Sequence, residues 1–230
     1  MPTELVKATR TAVPFSIHSL DELDLLAEAG VDLHEVIFRS IDKSVEEIRE
    51  AALRGVWQFA CDSEWQLLKI AAAAPGVAVY VAVDVGGTRS GFCAGALSGA
   101  ASGASADSAL RLMVLAPECG LRPYGLSIAI GSSDPSDELL AIERVGLVMR
   151  RLEQFGIRLQ MLTVQFRVNA RRELPTLSTL DAAVRRLPYR PGLLIAPARH
   201  SLADARSRHL APRVGRDLGM RDHVSDHGRP

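Results

Sequence analysis

The stretch that decides the fold runs from Val36 to Asp84 and reads VIFRSIDKSVEEIREAALRGVWQFACDSEWQLLKIAAAAPGVAVYVAVD. It holds three short apolar runs rich in β-branched and aromatic residues, at 36–38, 56–60 and 77–83, and a segment of helical period lies between each pair. This alternation predicts a β-α-β-α-β unit. Because the connections are short, the strands must be parallel, with right-handed crossovers, and their carboxyl ends must share one edge of the sheet.

Capping signals delimit the first helix of this stretch. Ser44 is followed three residues later by Glu47, the spacing of a capping box, and Gly55 ends the helical period. The same spacing recurs at Ser19 and Glu22, which predicts a helix over 19–29. Local capping therefore explains Glu22 without any ligand.

The second helix of the stretch begins at a cap provided by Asp62 or Ser63 and stops at the Pro75-Gly76 pair. Its apolar residues recur at helical spacing, so one face is expected to pack against the sheet. The residues expected on that face are Trp65, Leu68 and Ile70.

The remaining chain continues the alternation of strands and helices. Seven or eight strands, each followed by a helix, at this length favour a (β/α)8 TIM-type barrel, with a doubly wound open sheet as the alternative. A Gly, Ala and Ser-rich loop is expected over 86–108. The further strands are predicted at 4–8, 12–17, 124–130, 159–166 and 193–196, and the further helices at 109–117, 137–155 and 177–186.

Composition favours one cytoplasmic domain. The 230 residues carry 27 basic and 27 acidic side chains, so nothing favours nucleic acid or an anionic membrane as a partner. The three cysteines, Cys61, Cys93 and Cys119, are widely spaced, which indicates reduced thiols and no structural zinc site. We expect a barrel domain over 1–210, no membrane segment, and a disordered basic tail over 211–230.

Six stretches together resemble a known family. They are FSIHSLDEL (15–23), AGVDLHEVIF (29–38), KSVEEIREAALRGV (43–56), DSEWQLLKIA (62–71), GLRPYGLSIAIGSS (120–133) and LLIAPAR (193–199). In this order they resemble the barrel of the fold-type III PLP-dependent decarboxylases that act on ornithine, arginine or diaminopimelate. The resemblance covers roughly residues 4 to 205. It implies the (β/α)8 barrel, whereas nothing after Leu210 resembles the C-terminal β domain of that family.

Some residues match the cofactor site that the resemblance implies. Lys7, in Val-Lys-Ala-Thr, corresponds to the Schiff-base lysine, and the short distance from Lys7 to Phe15 implies a shortened first βα unit. Glu22, Ser132 and Arg199 also stand at positions that match the family, and are the candidate cofactor-binding residues.

Other positions depart from the family at residues that touch the cofactor. The family's glycine triplet for the phosphate corresponds to Leu-Thr-Val-Gln-Phe-Arg at 162–167, whose bulky side chains prevent close backbone approach. The family's aspartate, strand arginine, stacking histidine, glutamate and glycine correspond to Ser16, Ala82, Ala129, Ala196 and Ala198.

A second candidate site needs no cofactor. His18, Asp84 and His200 lie at the predicted carboxyl ends of separate strands, where a histidine with a carboxylate partner can serve as a general base. His223 and His227 have the spacing of two metal ligands on one helical turn, but no third ligand accompanies them, so no metal site is predicted.

Two classes of function follow from these patterns. The first is a barrel without PLP that regulates or binds a partner, because the departures fall on cofactor contacts while caps and strand cores are kept. A shortened first unit exposes apolar surface, which predicts a homo-oligomer or a hetero-complex. The alternative is an enzyme of carboxy-lyase type. It would be either a PLP-dependent decarboxylase that acts on a small amino acid through Lys7, or a cofactor-free lyase or isomerase that uses His18, Asp84 and His200.

Overall fold

The computed structural model of the protein describes residues 15–40, 42–85, 103–130, 135–166 and 182–197. The described residues form seven strands and five helices of nine residues or more, in alternation along the chain. The strands are β1 (Phe15–Ile17), β2 (Val36–Phe38), β3 (Gln58–Cys61), β4 (Ala78–Val83), β5 (Arg122–Ile130), β6 (Met161–Phe166) and β7 (Gly192–Pro197). The helices are α1 (Leu20–Glu28), α2 (Val45–Leu53), α3 (Glu64–Ala73), α4 (Ala106–Glu118) and α5 (Pro135–Gln154).

All seven strands belong to one sheet, in the order β1-β2-β3-β4-β5-β6-β7. Every neighbouring pair is parallel. In a doubly wound sheet the strand order reverses at a switch point, whereas in a (β/α)8 barrel neighbours in sequence are neighbours in space. The sequential order therefore confirms the barrel prediction and excludes the doubly wound alternative.

The helix starts follow the capping signals of the sequence. Ser44 Oγ accepts a hydrogen bond from the Glu47 N–H at 3.0 Å, and the Glu47 carboxylate accepts one from the Ser44 N–H at 2.8 Å, which is the predicted capping box. Ser19 caps α1 by accepting from the Glu22 N–H at 3.3 Å. At α3 the cap is Ser63. These contacts satisfy backbone donors that a helix leaves unpaired at its start.

The predicted inner face of α3 is right for Ile70 and wrong for Trp65 and Leu68. Trp65 and Leu68 are 68% and 43% exposed, whereas Leu67 and Ile70 are fully buried against the sheet. The helix carries apolar residues along both of these lines, so its period alone does not say which line packs. The buried line is the one that continues into Ala74, which is also buried.

Two apolar clusters of different size lie on the two faces of the sheet. The large cluster lies between the sheet and the helices, and Val79 and Val81 of β4 belong to it. Since side chains alternate along a strand, Tyr80 points the opposite way, into the barrel interior. The smaller apolar cluster, inside the barrel, consists of Ile37, Ala60 and Tyr80, with Tyr124 and Met161 packed against it.

Several predicted features fall on residues outside the described ranges. These are the strand at 4–8, most of the loop at 86–108, the tail at 211–230 and the first half of the helix at 177–186, of which 182–184 are described as helical. Among the described helices, none is both long enough and apolar enough to cross a membrane.

Candidate site in the barrel interior

Aromatic side chains fill the end of the interior where the strands begin. The Tyr80 hydroxyl donates to Gln58 Oε1 at 2.9 Å, and its ring meets that of Tyr124 edge-on, with centroids 5.5 Å apart. Gly125 makes room for this packing, because a Cβ there would lie 2.8 Å from Tyr80 Cε1 and 2.5 Å from the Met161 carbonyl oxygen. The aromatic packing occupies this end of the interior, and in barrels of this kind ligands bind at the carboxyl end of the strands.

A buried arginine lies above this aromatic layer. Arg39 directly follows β2, and its backbone N–H donates to the Ile17 carbonyl at 2.8 Å, which extends the β1–β2 pairing. Its Nε donates to Ser16 Oγ at 3.0 Å and its Nη1 to Ser127 Oγ at 2.8 Å. Only 8% of Arg39 is exposed. The side chain therefore extends from the end of β2 across the interior to β5, with its guanidinium group buried.

A threonine hydroxyl lies in the same layer. Thr163 of β6 is in register with Ser127 of β5, which is in register with Ala82 of β4. Thr163 is fully buried, and its Oγ1 has no hydrogen-bond partner among the described residues. Its strand neighbours Leu162 and Val164 belong to the outer core, so Thr163 faces the interior. We call Ser16, Arg39, Ser127 and Thr163 the interior cluster.

Lys43 is buried at the carboxyl ends of β2 and β3. It is 2% exposed, and its Nζ donates to the carbonyl of Ser40 and, at 2.8 Å, to that of Ala60. The amine also lies 5.7 Å from the centroid of the Phe38 ring, which is part of the outer core. Burial lowers the pKa of Lys43 from 10.5 to about 8. The amine is thus held at the carboxyl ends of β2 and β3, where the charges of Arg39 and Lys69 also lower its pKa.

The structure describes two of the three residues proposed for cofactor-free chemistry. The His18 N–H donates to Glu22 Oε2 at 2.7 Å, and partial burial lowers the pKa of the His18 imidazole, an effect that Glu22 opposes and Arg39 and Lys43 reinforce. Asp84 follows β4, and its N–H donates to the Ala104 carbonyl at 2.9 Å. Both lie at the carboxyl edge of the sheet, but β2 and β3 separate their strands.

The other candidates lie outside the described ranges. They are Lys7, Ser132, Arg199 and His200, together with the histidine pair of the tail. Within the described part of the chain no group of three or more His, Cys, Asp or Glu side chains has an arrangement that could hold a metal ion.

Comparison with protein families gives a match over residues 5–165, to the pyridoxal-dependent decarboxylase family, pyridoxal binding domain. This match covers well over half of the chain. The chain belongs to this family. The resemblance inferred from the sequence is thereby confirmed, and so is the barrel as the domain concerned.

Curated members of the pyridoxal-dependent decarboxylase family are similar over the same region. A lysine/ornithine decarboxylase from Selenomonas ruminantium is 30% identical over 154 residues, which are 65% of this chain and 38% of that protein. An ornithine decarboxylase from Neurospora crassa is 30% identical over 152 residues, 31% of its length. Antizyme inhibitor 2 from Xenopus laevis is 25% identical over 152 residues. The chain thus spans about a third of the curated relatives it matches.

Solved structures of the family share the fold. Lysine decarboxylase from Selenomonas ruminantium superposes with a TM-score of 0.65 at 24% identity, over 80% of this chain and 48% of that one. The arginine decarboxylase of Paramecium bursaria Chlorella virus gives a TM-score of 0.68 at 20% identity, over 80% and 50% of the two chains. At these identities the likeness concerns the barrel fold.

Two of the chain's lysines lie in the described residues, whereas Lys7, which the resemblance implies as the Schiff-base lysine, lies outside them. The chain has three lysines, Lys7, Lys43 and Lys69. The Nζ of Lys43 donates to the carbonyls of Ser40 and Ala60, and that of Lys69 donates to the Lys43 carbonyl at 3.2 Å. Furthermore, β6 continues as a regular strand through Phe166, paired with β7, where the resemblance implies a glycine turn for the phosphate.

Sequence reasoning missed the interior cluster apart from Ser16. Arg39 follows a short apolar run, where an arginine is usually at the surface, and no local signal distinguishes it. Ser127 and Thr163 lie inside apolar strands and carry the only hint. A hydroxyl within a strand that is otherwise buried on both faces has to find a partner inside the protein.

Proposed function

We propose that this chain is a non-catalytic member of the pyridoxal-dependent decarboxylase family, which holds no PLP and acts by binding another protein or a second copy of itself. The observation that carries this proposal is the Arg39 side chain bonded to Ser16 and Ser127. Its acceptor Ser127 is in register with Ala82 and lies two residues before Ala129, and at both alanines the resemblance implies cofactor contacts.

The hydrogen bonds of Arg39 support a fixed role for its charge. Burial of a guanidinium group is costly unless hydrogen bonds compensate the lost water. Here Ser16 and Ser127 supply two acceptors from strands that are far apart in the sequence. Within the described residues the interior therefore holds a cation of the protein itself, fixed by two serine acceptors.

Exposed apolar side chains on the helices support protein binding. Trp65 and Leu68 project from α3, Leu147 projects from α5, Phe155 directly follows α5, and all four are exposed. Large apolar side chains in solvent are typical of surfaces that become covered in a complex. One relative, antizyme inhibitor 2, is named for an inhibitory action and not for a reaction. A homo-oligomer or a hetero-complex formed through the helical layer agrees with both observations.

The test of the cofactor part is reductive labelling with PLP. The full chain is incubated with one equivalent of PLP, treated with borohydride and digested, and the peptides are mapped by mass. With three lysines in the chain, each labelled site is assigned without ambiguity. We expect no aldimine absorbance and no more label on Lys7 than on the helix residue Lys69. A stoichiometric aldimine on Lys7 would refute the proposal.

The test of the binding part is the mass of the particle in solution. We expect light scattering to report a dimer or larger species at micromolar concentration, or a stable complex when a protein partner is present. The double substitution of Trp65 and Leu68 by serine should shift the population toward monomer if α3 contributes to the contact. A strictly monomeric chain that captures no partner would contradict this part.

An enzyme remains the second candidate, because the lowered pKa of His18 keeps its imidazole neutral and able to accept a proton at neutral pH. Assays of carbon dioxide release from lysine, ornithine and arginine, each with and without PLP, distinguish the non-catalytic chain from an enzyme. We expect none. Turnover that His18→Ala abolishes without PLP would favour cofactor-free chemistry, and turnover that Lys7→Ala abolishes with PLP would favour the decarboxylase.

A further inference from the structure

The outward side of α5 carries apolar side chains that are exposed to solvent. Leu140 and Leu147 are seven residues apart, which is close to two helical turns, so they lie in one line along the helix. They are 42% and 55% exposed, and Phe155, directly after the helix, is 58% exposed. Val145 and Leu152, on the opposite side of α5, are fully buried in the large apolar cluster. The exposed line is therefore separate from the surface that attaches α5 to the barrel.

Two charged side chains flank Leu147. Glu143 and Arg150 are both exposed, and they lie about 40° and 60° from Leu147 around the helix axis, in the same direction. Glu143 Oε1 accepts a hydrogen bond from Arg186 at 3.3 Å, and its other oxygen can accept from a second donor. Within the described ranges, Arg150 has no ion-pair partner. We call Leu140, Glu143, Leu147 and Arg150 the α5 face.

A groove runs along the charged side of the α5 face. Gly146, Leu147 and Arg150 line it from α5, and Ala183 and Leu187 line it from the next helical segment. Its volume is about 310 Å³. Gly146 contributes no side chain, and a Cβ there would lie 3.3 Å from Leu187 Cδ2. A side chain from a second helix that packs on α5 can therefore enter the groove beside Leu147.

The other arginines on the outward half of α5 are bonded within the chain. Arg144 donates to the Val85 carbonyl oxygen, and Arg151 donates to the Asp107 carboxylate. On its groove side, α5 thus presents one carboxylate before the central leucine and one guanidinium group after it.

The α5 face is self-complementary about Leu147. When two α5 helices pair antiparallel around this residue, each position opposes the one equally far beyond the centre. At 1.5 Å per residue, Glu143 and Arg150 lie about 6 Å and 4.5 Å from the centre, and Leu140 and Phe155 about 10 Å and 12 Å. Glu143 of one copy therefore meets Arg150 of the other, and Leu140 meets Phe155. A parallel pairing would instead place Glu143 against Glu143.

We propose that α5 is a self-association surface, on which a second copy of this chain packs its own α5 antiparallel about a two-fold axis at Leu147. The proposal rests on the binding part of the proposed function, and it names the partner and the surface. Charge complementarity selects the copy as the occupant, since each α5 face carries both the carboxylate and the guanidinium that the other requires. A two-fold contact of this kind closes after two copies, so it yields a dimer and no larger particle.

The test is sedimentation equilibrium of the full chain between about 1 and 200 µM, where a monomer–dimer equilibrium shifts by mass action. Leu147→Glu brings two carboxylates together at the axis and should raise the dissociation constant at least about tenfold. Leu53→Glu on α2 is the matched control, because Leu53 is also an exposed helical leucine, with 78% of its surface in solvent. It should leave the dissociation constant unchanged.

Charge exchange between two variants tests the antiparallel pairing itself. Glu143→Arg and Arg150→Glu each place like charges opposite one another in their own homodimers, so each variant alone should be more monomeric than the wild type. In the mixture of the two variants, every contact again joins a carboxylate to a guanidinium group. We expect the mixture to form a heterodimer with an affinity near that of the wild type. Misfolding cannot produce this recovery.

Three results would overturn the proposal. They are a wild-type chain that stays monomeric at about 200 µM, equal effects of Leu147→Glu and Leu53→Glu, and a mixture of the two charge variants that is as monomeric as each variant alone. A monomeric chain that binds another protein would overturn this inference and leave the proposed function standing. A PLP aldimine on Lys7 would refute the proposed function and leave the α5 contact untouched, so the two failures are distinguishable.

Discussion

The Nη1 of Arg39 donates a hydrogen bond of 2.8 Å to Ser127 Oγ, which joins the end of β2 to the middle of β5 over a sequence separation of 88 residues. Three parallel strand pairings also connect these strands along the sheet, through β3 and β4. The hydrogen bond links them a second time, through the interior. Because the cation is buried, the stability of the barrel depends on the acceptors that surround it.

Ser127→Ala should destabilise the protein by about 1–3 kcal/mol, because it removes an acceptor from a buried charged donor. Thr163→Val, one strand away in the same layer, is the matched control. Its hydroxyl has no partner among the described residues, so the substitution should leave stability unchanged or raise it by up to about 1–3 kcal/mol. Urea unfolding of both variants measures the difference. Equal losses in the two variants would contradict the hydrogen-bonding scheme.

Gly125→Ala should destabilise the protein by about 1–3 kcal/mol through overpacking. The new methyl would lie 2.5 Å from the Met161 carbonyl oxygen, a backbone atom that cannot move without disturbing the β5–β6 pairing. Gly146→Ala in α5 is the control. There the nearest atom is Leu187 Cδ2 at 3.3 Å, and alanine favours the helix by about 1 kcal/mol, so stability should change little. Chemical denaturation of the two variants measures both changes in stability. An unchanged stability in Gly125→Ala would mean that Tyr80 is loosely packed against Gly125.

Lys43 should make stability depend on pH between about 8 and 10.5. Its pKa is about 8 in the folded state against 10.5 ordinarily, so the unfolded chain binds more protons in this window and stability rises with pH. Below pH 8 the amine is charged in both states and its full desolvation penalty remains. Lys43→Met should remove this rise.

The Lys43 effect has to be measured between pH 7 and 9. Burial raises the pKa of the Cys61 thiol from 9.0 to about 12, so above pH 9 the unfolded thiol loses its proton first and stability falls, with the opposite sign. Urea unfolding of wild type and Lys43→Met across the lower window isolates the lysine. Parallel pH profiles of the two proteins would show that the Lys43 amine is not perturbed.

Trp65→Ser in α3 should change stability by no more than about 0.5 kcal/mol, because its ring lies largely in solvent. Leu67→Ala, two residues along the same helix, should cost about 2–5 kcal/mol, since Leu67 is fully buried. Denaturation of each variant as a purified chain at low concentration measures the two changes in the free energy of unfolding. A large loss from Trp65→Ser under these conditions would place the tryptophan in the core, and concentration-dependent loss would indicate an oligomer interface.

The elements of the barrel could be predicted because their signals are local. The capping box of Ser44 and Glu47, the stop at Gly55 and the apolar run at 77–83 each act within a few residues, and the structure contains the corresponding ends and strand. The order of the strands also follows from sequence, since short right-handed connections leave few alternatives. Family membership came from the same stretches.

The face of α3 and the interior cluster were decided only by tertiary structure. Apolar residues follow two lines along α3, and the sheet buries the line of Leu67 and Ile70. Arg39 is buried because the curvature of the sheet brings Ser127 within hydrogen-bond distance, 88 residues further on. The sequence by itself determined which segments become strands and helices, because those choices depend on neighbours in the chain. Which charges and hydroxyls meet depends on neighbours in space, and only the folded sheet supplies those.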